Sequence, residues 1–135
     1  MEIARVTIDG AELRARGTQI GVAYELRYEL EPGRLRAEVV DGPSADLGLD
    51  GTDFFDLAFS PLFNSLPVLA GLDRATDYVM SFVDVPSLEV SRAEQRYEPL
   101  GEGLVRFRSG SFVADLEFGA DGLVNRYEGL AERVS

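Results

Sequence analysis

The chain has 135 residues, of which 24 are acidic and 13 basic, giving a formal net charge of −11. Every cation is an Arg, and Cys, His, Lys and Trp are absent. These absences exclude thiolate and imidazole nucleophiles, zinc sites built from them, Ser-His-Asp triads, Schiff-base lysines and P-loop lysines.

The length suits one domain, residues 1–135, with a core large enough to need no staples. Carboxylates, hydroxyls, amides and guanidinium groups remain, which suffice for a hard-cation site or a carboxylate-pair hydrolase and little else. An anionic body repels phosphate backbones, so nucleic acid is not an expected partner. Dense carboxylates with Arg in place of Lys fit a salty cytosol, and a GC-rich genome explains the Arg usage equally well. The first ten residues, "MEIARVTIDG", lack the basic and apolar runs of a signal peptide, and no Cys suggests a disulfide framework, so a cytoplasmic location is expected. No apolar run approaches the ~18 residues needed to span a bilayer.

In chain order, "EIARVTI" predicts a strand, "DG" at Asp9 and Gly10 a hairpin turn, and "AELRAR" the return strand. "TQIGVAYELRYELE" then reads as one long strand, with Ile20, Val22, Tyr24, Leu26, Tyr28 and Leu30 on one face. "EPGR" is a turn, and "LRAEVV" returns with Leu35, Ala37 and Val39 inward. A loop is predicted from about Asp41 to Gly51, where Gly, Pro, Ser and Asp accumulate.

Ser60 and Pro61 form a helix-start pattern: a hydroxyl to cap an orphan N–H, then a proline whose missing N–H has no intrahelical partner. Leu62, Phe63, Leu66, Leu69 and Leu72 recur at helical steps, with Val68 and Ala70 on other sides. A helix over about 60–71, apolar nearly all round, must be buried nearly all round. Pro67 should bend or loosen it, and Gly71 should end it. Buried Asn64 then needs a hydrogen-bond partner, since an unpaired amide costs roughly 1–3 kcal/mol.

"TDYVMSFVDVP" is apolar on both faces and predicts a central strand, with Pro86 marking a bend or a switch of sheet. "SLEVS", "AEQRYEPL", "GLVRFRSG" and "SFVADLEF" read as further strands, the last with Phe112, Ala114, Leu116 and Phe118 inward. "GADG" is a turn and "LVNRYEGL" closes the sheet. Strands wrapped around one short, enclosed helix are the architecture these elements imply.

The order and spacing of "DLAFSPLFNSLPV", "FVDVPSLEV" and "QRYEPLGEGLVRFRSGSFVADLEFGADGLVNRYEGL", about Asp56 to Leu130, resemble the putative glycolipid-binding family. "AYELRYELEPGRLRAEVV" matches more loosely, and a short loop over Asp41 to Asp53 stands where family members carry further strands. The resemblance implies a mainly β fold, a spiral β-roll of curved antiparallel sheet around a single central helix, often dimeric. It also implies a non-enzymatic binding protein for a glycolipid or other amphiphile, with no cofactor. The competing reading is a structural or interaction module, a homodimer with a filled core.

In the binding reading, Phe59, Phe63, Leu66, Phe82 and Phe107 touch a ligand's tail while Asn64, Arg96 and Tyr97 lie near its head. In the other reading those aromatics are solid core and Asn64 ties the helix to a strand carbonyl. Arg92, Arg96, Arg106 and Arg108 are either an anion patch or a wet strand face paired with carboxylates. Asp53 and Asp56, with Asp115 or Glu117, have the chemistry of a glycosidase pair or a cation site, but in so acidic a chain such pairs arise by chance. No catalytic or metal residue is therefore assigned.

Overall fold

The computed structural model describes residues 11–19, 22–31, 33–58, 60–127 and 131–132. The expected first strand and the turn at Asp9 and Gly10 lie outside them. Four strands form an antiparallel meander in sequential order: β1 (Ala11–Gln19), β2 (Val22–Glu31), β3 (Arg34–Val39) and β4 (Ser44–Gly48). Period two decides its faces, as expected. Leu26 and Tyr28 are buried opposite Val39 and Ala37, while Arg27 and Glu29 pair with Glu38 and Arg36 on the other side.

Two expectations are corrected here. The run from Thr18 to Glu31 is not one strand, because Thr18 and Gln19 end β1 opposite Ala23 and Val22. Large apolar residues recur at every second position from Ile20 to Leu30 without a break, which conceals the end of β1. The predicted loop from Asp41 to Gly51 contains β4, whose Ala45 and Leu47 face the core beside Ala37 and Leu35. This edge strand also carries Asp46, which accepts bonds from Arg34 Nε and Nη2 at 2.7 and 2.5 Å, a charged edge of the kind that discourages strand addition.

The second sheet has seven strands in the order β11-β10-β9-β8-β7-β6-β5. They are β5 (Phe54–Leu57), β6 (Thr76–Val83), β7 (Val90–Gly101), β8 (Leu104–Ser109), β9 (Phe112–Phe118), β10 (Val124–Tyr127) and β11 (Ala131–Glu132). β6 is paired on both sides, but it lies next to the edge strand β5 and is not the central strand its composition predicts. Every pairing is antiparallel except β5 on β6, where Phe54 lies opposite Met80. A parallel pair needs a crossover, and the helical segment supplies it.

Pro86 does not switch sheets. It sits in the hairpin joining β6 to β7, closed by Leu88 N–H to Asp84 O and Asp84 N–H to Glu89 O, both 2.8 Å, and Val83 stays paired with Val90. β7 then continues without interruption through "AEQRYEPL".

The helical segment is a 3₁₀ turn over Pro61–Ser65 followed by α1 (Leu66–Leu69). Pro67 falls in the first turn of α1, where its missing N–H costs nothing, so the irregularity is a change of helix type. Ser60 is not a side-chain cap: its carbonyl accepts the Phe63 N–H at 3.3 Å, and its buried Oγ has no partner among the described residues. Gly71, at φ +96°, ends the segment with its N–H on Val68 O at 3.0 Å. Phe63, Asn64, Ser65 and Pro67 are buried, but Leu69 is 55% exposed, so the enclosure expected all round is open at the C-terminal end.

The helix separates two apolar clusters. Phe63 and Leu66 join Leu26, Tyr28, Leu35, Phe55 and Val83 between the two sheets, while Val68 and Leu72 join Met80, Tyr97, Phe107, Leu116 and Tyr127 in the hollow of the seven-stranded sheet. Burying a side chain such as Phe63 contributes about 1.5–3 kcal/mol, so both clusters depend on the helix being held in place. Phe112, expected inward, is half exposed and stacks on Tyr127 with ring centroids 6.4 Å apart.

Candidate functional site

A row of buried polar side chains runs between the two clusters. Asn64 Nδ2 donates to Tyr97 Oη at 3.0 Å, Tyr97 Oη donates to Gln95 Oε1 at 2.9 Å, and Gln95 Nε2 donates to Asp56 Oδ2 at 2.5 Å. Gln95 and Tyr97 share a face of β7 because they are two residues apart, and Asp56 comes from β5. Each donor points towards the carboxylate, so the bonds polarise one another in one direction. The partner of Asn64 is therefore a phenol, not a strand carbonyl.

Burial pushes the Asp56 carboxyl up to about 6, against the opposing bond from Gln95. Burial, and secondly the Asp56 charge, raise the Tyr97 phenol far above its ordinary range and push Tyr127 up to about 12. No ion pair offsets Asp56 among the described residues. Two further bonds brace the frame: Ser65 Oγ accepts the Val124 N–H at 3.0 Å, and Thr52 Oγ1 lies 2.6 Å from Ser81 Oγ.

The residues expected to form one ligand site are not all brought together. Asn64 and Tyr97 meet, as described. Phe63 and Leu66 lie in the first cluster, the Phe63 ring 5.3 Å from that of Tyr28, whereas Phe107 lies in the second. Phe59 lies outside the described residues. Arg96 follows Gln95 and precedes Tyr97 on an extended strand, so it points to the opposite face, where Nη1 donates to Asp77 at 2.9 Å. Arg106 likewise pairs with Asp115 at 3.0 Å, and Arg92 donates to Asp50 O at 2.9 Å. Asp53 accepts the Val79 N–H at 2.8 Å, a structural bond. Among the described residues, no group of three His, Cys, Asp or Glu is placed to hold a metal ion.

An open groove of about 480 Å³ lies elsewhere, at the end of the roll where α1 meets two turns. Val68, Leu69 and Leu72 form one wall. Pro99, Gly101, Gly103, Leu104 and Val105 form the second, and Phe118 to Gly122 the third. The walls approach closely because they meet at glycines: a Cβ on Gly103 would lie 2.8 Å from Phe118 O, and one on Gly122 would lie 2.9 Å from Leu69 Cδ2. None of the expected ligand residues lines this groove. Its sequence signal is faint, two Gly-rich turns ("GEG" and "GADG") each beside a large apolar residue, Leu104 and Phe118.

A mainly β roll around one short helix, with a packed interior and an open groove at one end, defines the class of protein. The chain belongs to the putative glycolipid-binding family, whose model matches residues 38–133, a longer stretch than the motifs between Asp56 and Leu130. In three dimensions it is similar to the crystal structure, at 1.80 Å resolution, of a DUF1089 family protein from Pseudomonas aeruginosa. That similarity has a TM-score of 0.80 at 24% identity and covers 99% of this chain and 91% of the other. A search of curated proteins finds no match. No helix among the described residues is long and apolar enough to cross a membrane.

Proposed function

We propose that the protein is a non-enzymatic, cytoplasmic binding protein that takes the apolar part of an amphiphile into the end groove. The observation that carries this reading is the groove itself, walled by Val68, Leu69, Leu72, Leu104 and Phe118, with Leu69 exposed beside it. Pockets for amphiphiles combine apolar walls with polar groups that receive the head, and here the apolar side chains alternate with polar surface from Asp121 and the turn backbone. The description of the family, by binding and not by catalysis, supports it. On this reading Phe63, Asn64, Leu66 and Tyr97 hold the helix that forms one wall, and Arg96 lies outside the site.

A second reading has its own observation. Leu69, Leu100 and Leu104 are all exposed at this end, which suits a contact with a second copy of the chain. Thermal unfolding with n-decyl maltoside, kept below its micelle concentration, separates the two. Binding raises the melting temperature of the wild type, and Leu69→Asp abolishes the rise. A homodimer closed over the same leucines instead shows no response to the maltoside, and Leu69→Asp converts it to monomer in sedimentation.

A further inference from the structure

We propose that the end groove selects its ligand by charge, accepting amphiphiles whose head carries no negative charge and rejecting anionic ones. This rests on the binding reading above and adds the chemical class of the head. Among the described residues that line the groove, Asp121 is the one charged side chain, and the others are apolar residues, glycines and a proline. Its carboxylate is held at the rim: Oδ1 accepts the Leu123 N–H at 3.1 Å, and a Cβ on Gly119 would lie 2.9 Å from the same oxygen. The nearby cation on β8, Arg106, is on the outer face of the sheet and engaged with Asp115. Around the groove the whole chain carries a net charge of −11. An anionic head seated at the rim therefore meets a fixed carboxylate and a repulsive field, with no guanidinium among the described lining residues to receive it, whereas a sugar or an ammonium meets no such barrier.

Three probes with ten-carbon chains, the carboxyl carbon of decanoate included, test the proposal: n-decyl maltoside, decyltrimethylammonium and, at pH about 8, decanoate, each below its micelle concentration; the missing methylene accounts for only about fourfold. Affinity is read from the methyl NMR shifts of Leu69, Leu72 and Val105, which also report where the probe sits. The expected result is binding of the first two, with decanoate at least about tenfold weaker at low ionic strength, a gap that narrows as salt screens the field. Asp121→Asn keeps an acceptor for the Leu123 N–H, so the turn survives, and the variant should narrow the gap as well. Decanoate binding as tightly as the maltoside, at the same methyls, overturns charge selection and leaves the binding reading intact. No shift with any probe, or shifts confined to other methyls, overturns the binding reading and the selection together.

Discussion

Asn64 and Tyr97, 33 positions apart, are joined by a hydrogen bond of 3.0 Å that fastens the helical segment to the inner face of β7. The phenol also donates to Gln95 Oε1, so it satisfies two buried groups at once. Removing either partner leaves a polar atom stranded in a place water reaches poorly.

Tyr97→Phe strands both Asn64 Nδ2 and Gln95 Oε1 and should destabilise the fold by about 1–3 kcal/mol in urea unfolding. Asn64→Leu should cost a comparable amount. Because the two act on one bond, the double variant should cost less than the sum of the single ones, by at least about 0.5 kcal/mol. Strict additivity would show that the bond carries no energy of its own.

Asp56 makes stability depend on pH. Its folded value of about 6 stands above the ordinary 3.8, so the folded state favours the protonated acid. That contribution is fully present below pH 3.8 and is lost as pH rises through about 6. At neutral pH the ionised group costs up to about 3 kcal/mol, so Asp56→Asn should be the more stable protein there by roughly 1–3 kcal/mol. Unfolding free energies of the pair, compared between pH 4 and 7.5, cancel the titration of the other carboxylates, and a constant difference across that range would contradict a raised Asp56.

The two glycines of the β7–β8 turn should respond differently to alanine. Gly101 and Gly103 both have positive φ, +91° and +77°, but a Cβ on Gly101 meets open space whereas one on Gly103 meets the Phe118 carbonyl at 2.8 Å. Gly101→Ala should cost about 1 kcal/mol from backbone strain alone, and Gly103→Ala at least about 1 kcal/mol more. Equal losses would mean that the carbonyl yields freely.

With a net charge of −11 and its outer ion pairs exposed, the fold opposes its own repulsion in dilute buffer. Its melting temperature should rise as NaCl is increased from about 0.01 to 1 M, where the Debye length falls from roughly 30 to 3 Å. A falling melting temperature would show that the exposed Arg–Asp pairs outweigh the net repulsion.

Local pattern was enough to establish much of this protein. Alternation in Leu26, Tyr28, Leu35, Ala37 and Val39 placed a meander and its buried face, and the apolar stretch after Ser60 placed a single short helix with an end at Gly71. The missing Cys, His and Lys removed whole chemistries. These are properties of neighbours along the chain, and side-chain polarity and backbone geometry decide them within a few residues. The family motifs were legible for the same reason, since they are runs of fixed spacing.

What only the tertiary structure decided is pairing at a distance. No spacing rule says that β5 lies parallel to β6, that Ser44–Gly48 forms an edge strand, or that Asn64 meets a phenol from β7. The groove is furthest from view, because its walls come from three segments of the chain and meet where glycines leave room. Such sites are made by packing, in which each contact depends on where every other element has settled, and a one-dimensional pattern carries only the half of that information that is local.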